Sequence, residues 1–199
     1  MKSTTLPLFK QTPRLIIRPL ELHDYENWSQ AFSSMRPPQS AWDETNWVLS
    51  ELTKAKFKEK IKKELHLRVT DSAYEFAVFR KDDGILIGHI SIDLIRRGFH
   101  QSGHLGYRIF NNFWGEGYAT EACAAVLKFA FKELKLHRLE AFIEPDNKPS
   151  LKVAKKIKLR KEGLSLRRVF YRKKWIDLIA FAATCEDFGI KYKFPQKKK

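Results

Sequence analysis

The sequence predicts an α/β (α+β) domain: a mixed, mostly antiparallel sheet of about seven strands with one central parallel pair joined by a helix, and helices on both faces. Three observations carry this. Short strand candidates recur with turn residues between them, as at Lys81-Asp-Asp-Gly84 and Arg172-Lys-Lys174. The stretch Glu116 to Lys135 places apolar residues at Ala119, Ala122, Cys123, Val126, Leu127, Ala130, Phe131 and Leu134, the period of a long amphipathic helix. It lies between strand candidates at His104 to Phe110 and His137 to Glu144. A strand, a helix and a strand of those lengths close a parallel crossover.

The remaining elements follow in order. Arg14-Leu-Ile-Ile-Arg-Pro-Leu20 is short and β-branched, with Pro19 inside it, which suits an opening strand near a sheet edge. A helix is expected from Asp24, an acidic N-cap before Trp28, Ala31 and Phe32, and Arg36-Pro-Pro-Gln39 ends it. Further helices are expected from about Asp43 to Leu52 and from Lys54 to Val69, where Phe57, Ile61, Leu65 and Val69 recur every four residues. Tyr74 to Arg80 alternates as a strand does, and a hairpin leads into Ile85 to Leu94. Pro145-Asp-Asn-Lys-Pro149 opens a short helix from Ser150 to Lys158, and the chain closes with strands Leu164 to Tyr171 and Trp175 to Ala183.

At 199 residues the chain suits one domain, and 43% hydrophobic with 13% aromatic content excludes a disordered chain. No internal repeat or linker divides it, so residues 12–188 are expected to form the domain, after an N-terminal extension (1–11) and before a basic tail (189–199). The N-terminus lacks a signal-like apolar stretch, and the apolar segment Leu178 to Cys185 is far too short to span a membrane. A soluble, unprocessed protein with no membrane partner is expected. Cys123 and Cys185 are the two cysteines and have no metal-like spacing, so no metal and a reducing, cytoplasmic setting are expected. Cys123, on the apolar helix face, is expected to be a small buried hydrophobe.

The formal charge is +15, from 38 Lys and Arg against 23 Asp and Glu. It is concentrated: seven cations against two acids between Lys54 and Arg68, and twelve against Glu162 alone between Lys148 and Lys174. This suits a polyanion such as RNA, a ribosome surface or a phosphate-rich cofactor, or else a solvated basic surface.

Gly115-Glu116-Gly117 falls at the turn into the long helix. Glycines there allow close backbone approach, and the free N–H groups of the first helical turn suit an anion such as a diphosphate. Tight turning alone would also explain them.

The ordered series Leu105-Gly-Tyr-Arg-Ile109, Gly115-Glu-Gly-Tyr-Ala-Thr-Glu-Ala122, His137-Arg-Leu-Glu-Ala141, Asn147-Lys-Pro-Ser150, Glu162-Gly163 and Trp175-Ile-Asp177 resembles the GNAT acyltransferases, as does Thr12 to Arg18. Within them it resembles the RimJ/RimL-type protein N-acetyltransferases, over about residues 12–188. Arg97-Gly-Phe-His100 ahead of Leu105, with the Trp175-x-Asp177 ending, is most similar to the RimJ type, ribosomal-protein alanine N-acetyltransferases. The resemblance implies a GNAT fold with acetyl-CoA held between the splayed strands of the parallel pair. The pyrophosphate would lie on Trp114, Gly115, Glu116, Gly117, Tyr118, Ala119 and Thr120. The pantetheine arm would pair with the backbone of Tyr107, Arg108, Ile109 and Phe110, and Asn147 would meet it with its amide.

Ser150 matches the family's N-x-x-S serine and is the expected contact for the departing thiolate, though it also suits an N-cap. Of the groups able to take a proton, His100 and His104 flank the lining strand and titrate in the right range, and His100 is the catalytic candidate. Glu140 and Glu144, on one face of the neighbouring strand, suit holding a water or the substrate ammonium, or equally a salt bridge. The acceptor is expected to be a protein N-terminal amine, a ribosomal one among them, or a small amine such as an antibiotic or metabolite. A third reading is a ribosome- or RNA-binding module without turnover. Four positions depart from the family: Asn112 at the start of the loop, Ala154 where relatives carry a tyrosine acid, and Lys158-Leu159 in place of Gly-Phe. A left-handed Lys costs about 1 kcal/mol relative to Gly, so that helix end is expected to be reshaped.

Overall fold

The computed structural model describes residues 8–43 and 49–194. Among the described residues eight strands form one sheet: β1 (Lys10–Gln11), β2 (Leu15–Arg18), β3 (Tyr74–Arg80), β4 (Leu86–Arg96), β5 (Ser102–Ile109), β6 (Arg138–Ile143), β7 (Arg160–Tyr171) and β8 (Lys174–Thr184). Their order is β1-β2-β3-β4-β5-β6-β8-β7, and every neighbouring pair is antiparallel except β5 and β6. The eighth strand is β1, where Lys10 pairs with Ile17, so part of the expected extension joins the sheet. Half of the helix expected from about 43 to 52, residues 44–48, lies outside the described residues; Leu49–Glu51 form a single 3-10 turn.

Helices α1 (Tyr25–Ser33) and α2 (Lys54–Val69) cover one face, and α3 (Tyr118–Lys132) and α4 (Lys148–Lys156) the other. Strand alternation explains the two cores. Ile90, Ile92 and Leu105 point to α3, whose Ala122, Cys123, Val126, Leu127 and Ala130 are all buried. Ala77, Phe79 and Phe110 point the other way, into an aromatic cluster with Trp28 and Phe57, whose rings lie 5.0 Å apart. Burying each large side chain of this kind contributes about 1.5–3 kcal/mol.

Two local expectations are corrected by geometry. A four-residue repeat advances about 40° per step around a helix with 3.6 residues per turn, so the α2 stripe rotates out of the core: Phe57 is buried, whereas Val69 is 75% exposed. Asp24 does not cap α1 with its side chain. Its carboxylate is taken by the Arg18 guanidinium at 2.6 and 2.8 Å and by the Glu21 N–H at 2.8 Å.

The site is positioned by the parallel pair. β5 and β6 run side by side for three residue pairs, ending at His104 opposite Glu140. Beyond that point β5 stays on β4 as far as Ile109, and β6 stays on β8 as far as Ile143. The two halves of the sheet therefore part in the middle.

Candidate active site

The gap between the parting strands is a cleft of about 450 Å³. Tyr107, Arg108 and Ile109 of β5 form one wall, the loop and helix start at 113–120 the floor, and Asn147, Pro149, Ser150 and Val153 the opposite wall. Ser40 and Trp42, from the connection after α1, line it too. Tyr107 and Ile109 belong to the α3 side of the sheet and pack with that core, while Arg108 turns to the other side and lies 3.7 Å from Asp43. The cleft is thus lined by residues that face both sides of the sheet.

Its floor has a geometry that suits an anion. Gly115 and Gly117 have φ of 89° and 80°, a conformation that side chains disfavour. A Cβ on Gly115 would meet nothing within 4 Å, and one on Gly117 only Arg14 Nη2 at 3.7 Å. Backbone conformation, not space, demands glycine here. Gly117 is the N-cap of α3 and has no side chain to accept the first helical N–H groups, which leaves them for a ligand. Lys152 and Lys156 face the same cleft from α4. The sequence reading did not single them out, although their i,i+4 spacing beside Pro149 and Val153 places all four on one helical face.

The walls carry hydrogen-bonding groups. The Phe110 N–H donates to the Ile87 carbonyl at 2.8 Å, toward β4. Strand alternation then aims the N–H groups of Tyr107 and Ile109 at the cleft. Phe110 itself is buried in the opposite core against Phe32 at 5.0 Å, so neither its backbone N–H nor its ring is available to a bound arm. The Tyr107 hydroxyl donates to the Ser150 carbonyl at 2.8 Å, and burial pushes the phenol above its ordinary range, keeping it protonated. Asn147 accepts the Ser150 N–H at 3.2 Å and is the N-cap of α4. Ser150 is therefore not the cap, which the sequence had left open; it stands in the first turn and lines the cleft.

The other expected residues are placed as follows. Trp114, Tyr118, Ala119 and Thr120 line the cleft, and Trp114 Nε1 donates to the Ile109 carbonyl at 2.6 Å. Glu116 contributes its carbonyl to Arg14 at 3.0 Å, and its side chain is not part of the wall. His100 is exposed on the β4–β5 connection. From Ser102 to Tyr107 the strand already covers about 17 Å, so His100 sits at the far end of β5 and is not brought to the cleft. His104 and Glu140 stand where the strands part, and Glu140 is paired with Arg138 at 3.0 Å. Glu144 follows β6, its carbonyl accepting the Asn147 N–H at 3.0 Å.

The departures from the expected pattern have structural explanations. Asn111 and Asn112 hold the connection after α1: Nδ2 of Asn111 donates to the Arg36 carbonyl at 2.7 Å and to Asp43 at 2.8 Å, and Nδ2 of Asn112 to the Ser34 carbonyl at 2.7 Å. Ala154 is fully buried on the inner face of α4. Lys158 adopts φ of 64°, and the Leu159 N–H reaches back to the Ala154 carbonyl at 3.0 Å, so the helix end keeps its ordinary left-handed stop instead of being reshaped. Cys123 is buried, and burial raises its thiol, so it is no nucleophile. Away from the cleft, ligand-type atoms of His137, Cys185 and Glu186 lie within 4.8 Å of one another, a grouping hidden by their distance in sequence.

The family model described as an acetyltransferase (GNAT) domain matches residues 14–160. Bacillus subtilis (strain 168) N-acetyltransferase YnaD is 31% identical over 183 residues, 89% of this chain and 98% of that one. The [Ribosomal protein uS5]-alanine N-acetyltransferase of Escherichia coli (strain K12) is 28% identical over 117 residues, 59% of this chain and 60% of that one. The structure of Mycobacterium smegmatis RimJ in complex with CoA-disulfide superposes with a TM-score of 0.75 at 25% identity, over 87% of this chain and 83% of that one. With the split parallel pair, the glycine floor and these matches, the chain belongs to the acetyltransferase (GNAT) family of acetyl-CoA-dependent N-acetyltransferases.

Proposed function

We propose that the protein transfers the acetyl group of acetyl-CoA to the N-terminal α-amine of a protein, a ribosomal one. The observation that carries this is a cleft at the parting of β5 and β6, with a floor suited to an anion on the α3 side and a wall of Ser40 and Trp42 to which a basic hairpin is tied through Ala41. The uS5-alanine enzyme and RimJ among the relatives support this choice of acceptor.

Bound acetyl-CoA supplies an activated thioester. The helix start, Lys152 and Lys156 hold its phosphates, and the amides of Tyr107 and Ile109 orient the arm along β5. The Ser150 hydroxyl donates to the sulfur as negative charge develops there, an interaction strongest in the transition state. The acceptor enters past Ser40 and Trp42.

The β7–β8 hairpin supports a ribosomal setting. Arg172 at its tip bonds the Ala41 carbonyl, which ties the hairpin to the wall formed by Ser40 and Trp42. Arg167, Lys173 and Lys174 are exposed beside Phe170 and Trp175, themselves 63% and 60% exposed. Cations interleaved with exposed aromatics suit an RNA surface, and such a partner places the reaction in the cytoplasm. Co-sedimentation with ribosomes at increasing salt tests this. Association should weaken steeply with salt, and neutralising Arg167, Lys173 and Lys174 should flatten the slope by about two to three units on a log-log plot. Absence of association at low salt above a neutral control protein would refute the ribosomal setting.

A further inference from the structure

We propose that His104, oriented by Asp93, is the general base that takes the proton from the acceptor amine. The inference rests on the acetyl-transfer reading and adds to it the group that makes the amine nucleophilic. His104 opposes Glu140 in the last pair before β5 and β6 part, so it stands at the apex of the cleft, where an arm running along β5 from the glycine floor ends. Its neighbour Gly103 faces the α3 core, since a Cβ there would meet Ile92 at 3.0 Å and Leu136 at 3.2 Å. His104 therefore points to the opposite face, the side on which the acceptor enters.

Alternation puts His104, Gly106 and Arg108 in one row on that face. Arg108 lines the cleft. Gly106 between them presents no side chain, and a Cβ there would meet Ser91 Oγ at 2.5 Å. The Ser91 hydroxyl fills that space, so the imidazole is approached along the line where β5 and β6 part. The ring is fixed on two sides: it stacks on Phe142 at 5.5 Å with 23° between planes, and Nδ1 lies 3.1 Å from Asp93 Oδ1. Asp93 is itself steadied by the Ser91 hydroxyl at 3.1 Å. A carboxylate at Nδ1 keeps the proton on that nitrogen and leaves the Nε2 lone pair free. Nε2 is shielded from water and has no hydrogen-bond partner among the described residues, a costly state for a buried polar atom that an ammonium donor would relieve.

Other charged groups on this face set the field. Glu140 lies across the strand pair, held by Arg138, which also binds Glu162. Arg168 lies 3.8 Å from the Phe142 ring centroid, Arg108 shares the row, and Glu75 on β3 acts on the Asp93 side. In the proposed step, R–NH3+ gives one proton to Nε2, and the freed lone pair forms the C–N bond. The C–S bond then breaks, the nitrogen's second proton passes to the departing thiolate, and the imidazolium releases its proton to solvent.

The test compares wild type, His104→Gln and Asp93→Asn in three measurements: calorimetric acetyl-CoA binding, kcat/KM for a peptide amine against pH, and NMR titration of the His104 ring in the ligand-free protein. His104→Gln should keep acetyl-CoA affinity within about twofold, lose ~100-fold or more in kcat and lose the acid limb of the profile. In Asp93→Asn the acid limb should coincide with the titration that NMR records for the ring. Turnover of His104→Gln within threefold of wild type, or a limb that does not follow the ring in Asp93→Asn, overturns the proposal while leaving acetyl transfer intact. A wild type that binds acetyl-CoA but acetylates no amine overturns the transfer reading, and the base with it.

Discussion

Arg14 and Glu121, 107 residues apart, meet at 2.8 Å where the start of β2 crosses the first turn of α3. The Thr12 hydroxyl and the Arg14 backbone N–H bond the same carboxylate at 2.6 and 3.1 Å. Burial alone would push Glu121 up, and these bonds outweigh it, holding the group below its ordinary range. The acid in the first turn is thus neutralised by its own pair and does not repel an anion at the helix start. The same guanidinium grips the Glu116 carbonyl at 3.0 Å and covers the Tyr118 ring at 4.6 Å, which clamps the glycine loop from the sheet side.

Gly117→Val should lower acetyl-CoA affinity at least tenfold while the protein stays folded. A branched residue resists φ of 80°, at a cost of about 1–2 kcal/mol, and the loop will shift away from the geometry that presents the helix N–H groups. Calorimetric titration beside a melting curve checks this, and an unchanged Kd in a folded variant removes the loop from the site.

Ser150 and Asn147 should separate cleanly. With Asn147 as the cap, Ser150→Ala should leave Tm nearly unchanged and reduce kcat about tenfold or more, with KM for acetyl-CoA little altered. Asn147→Ala should lose about 1 kcal/mol of stability. Steady-state kinetics and thermal melts of the two variants decide the matter; a large Tm loss in Ser150→Ala with full activity would assign the serine a purely structural role.

Lys158→Gly should stabilise the protein by about 1 kcal/mol, because the left-handed position after α4 penalises a side chain. Urea denaturation at constant m-value reads this directly.

The long elements were legible because their signals are local and periodic: the α3 pattern, the Tyr74–Arg80 alternation and the α2 span are found where the residues place them. The glycine floor was legible for the same reason, being a contiguous motif at a strand-to-helix turn. What lay hidden depends on long-range geometry. His100 and His104 look equivalent in sequence, and only the register of β5 against β6 separates an exposed loop from the apex of the cleft. Ser40 and Trp42 join the wall because Asn111 and Asn112 hold their connection from more than 70 residues away, and no local pattern announces that.

Glu75 should make the wild type progressively less stable from about pH 4.5 to about pH 7. Burial first, then the neighbouring Glu64 carboxylate, push Glu75 up to about 7. In that window the folded chain keeps a proton that the unfolded chain has released, so the associated stability is full below the ordinary carboxylate range and is lost as pH rises through 7. Glu75→Gln removes this dependence. Its Tm advantage over wild type should therefore be larger at pH 8 than at pH 5, and an advantage independent of pH would place the Glu75 carboxylate in ordinary solvent. His89, which burial pushes down to about 4, has the opposite slope but is common to both proteins and cancels in the difference.

The central claim is acetyl transfer to a protein N-terminal amine, and its most direct measurement is acetylation of a peptide library varied at the first residues, with small amines in parallel, read by mass spectrometry. The account predicts one added acetyl group on the α-amine of a subset of peptides, dependent on acetyl-CoA, with α-blocked peptides containing lysine left unmodified. Turnover of small amines with no peptide acetylated, or no transfer to any amine by a protein that binds acetyl-CoA, would contradict it.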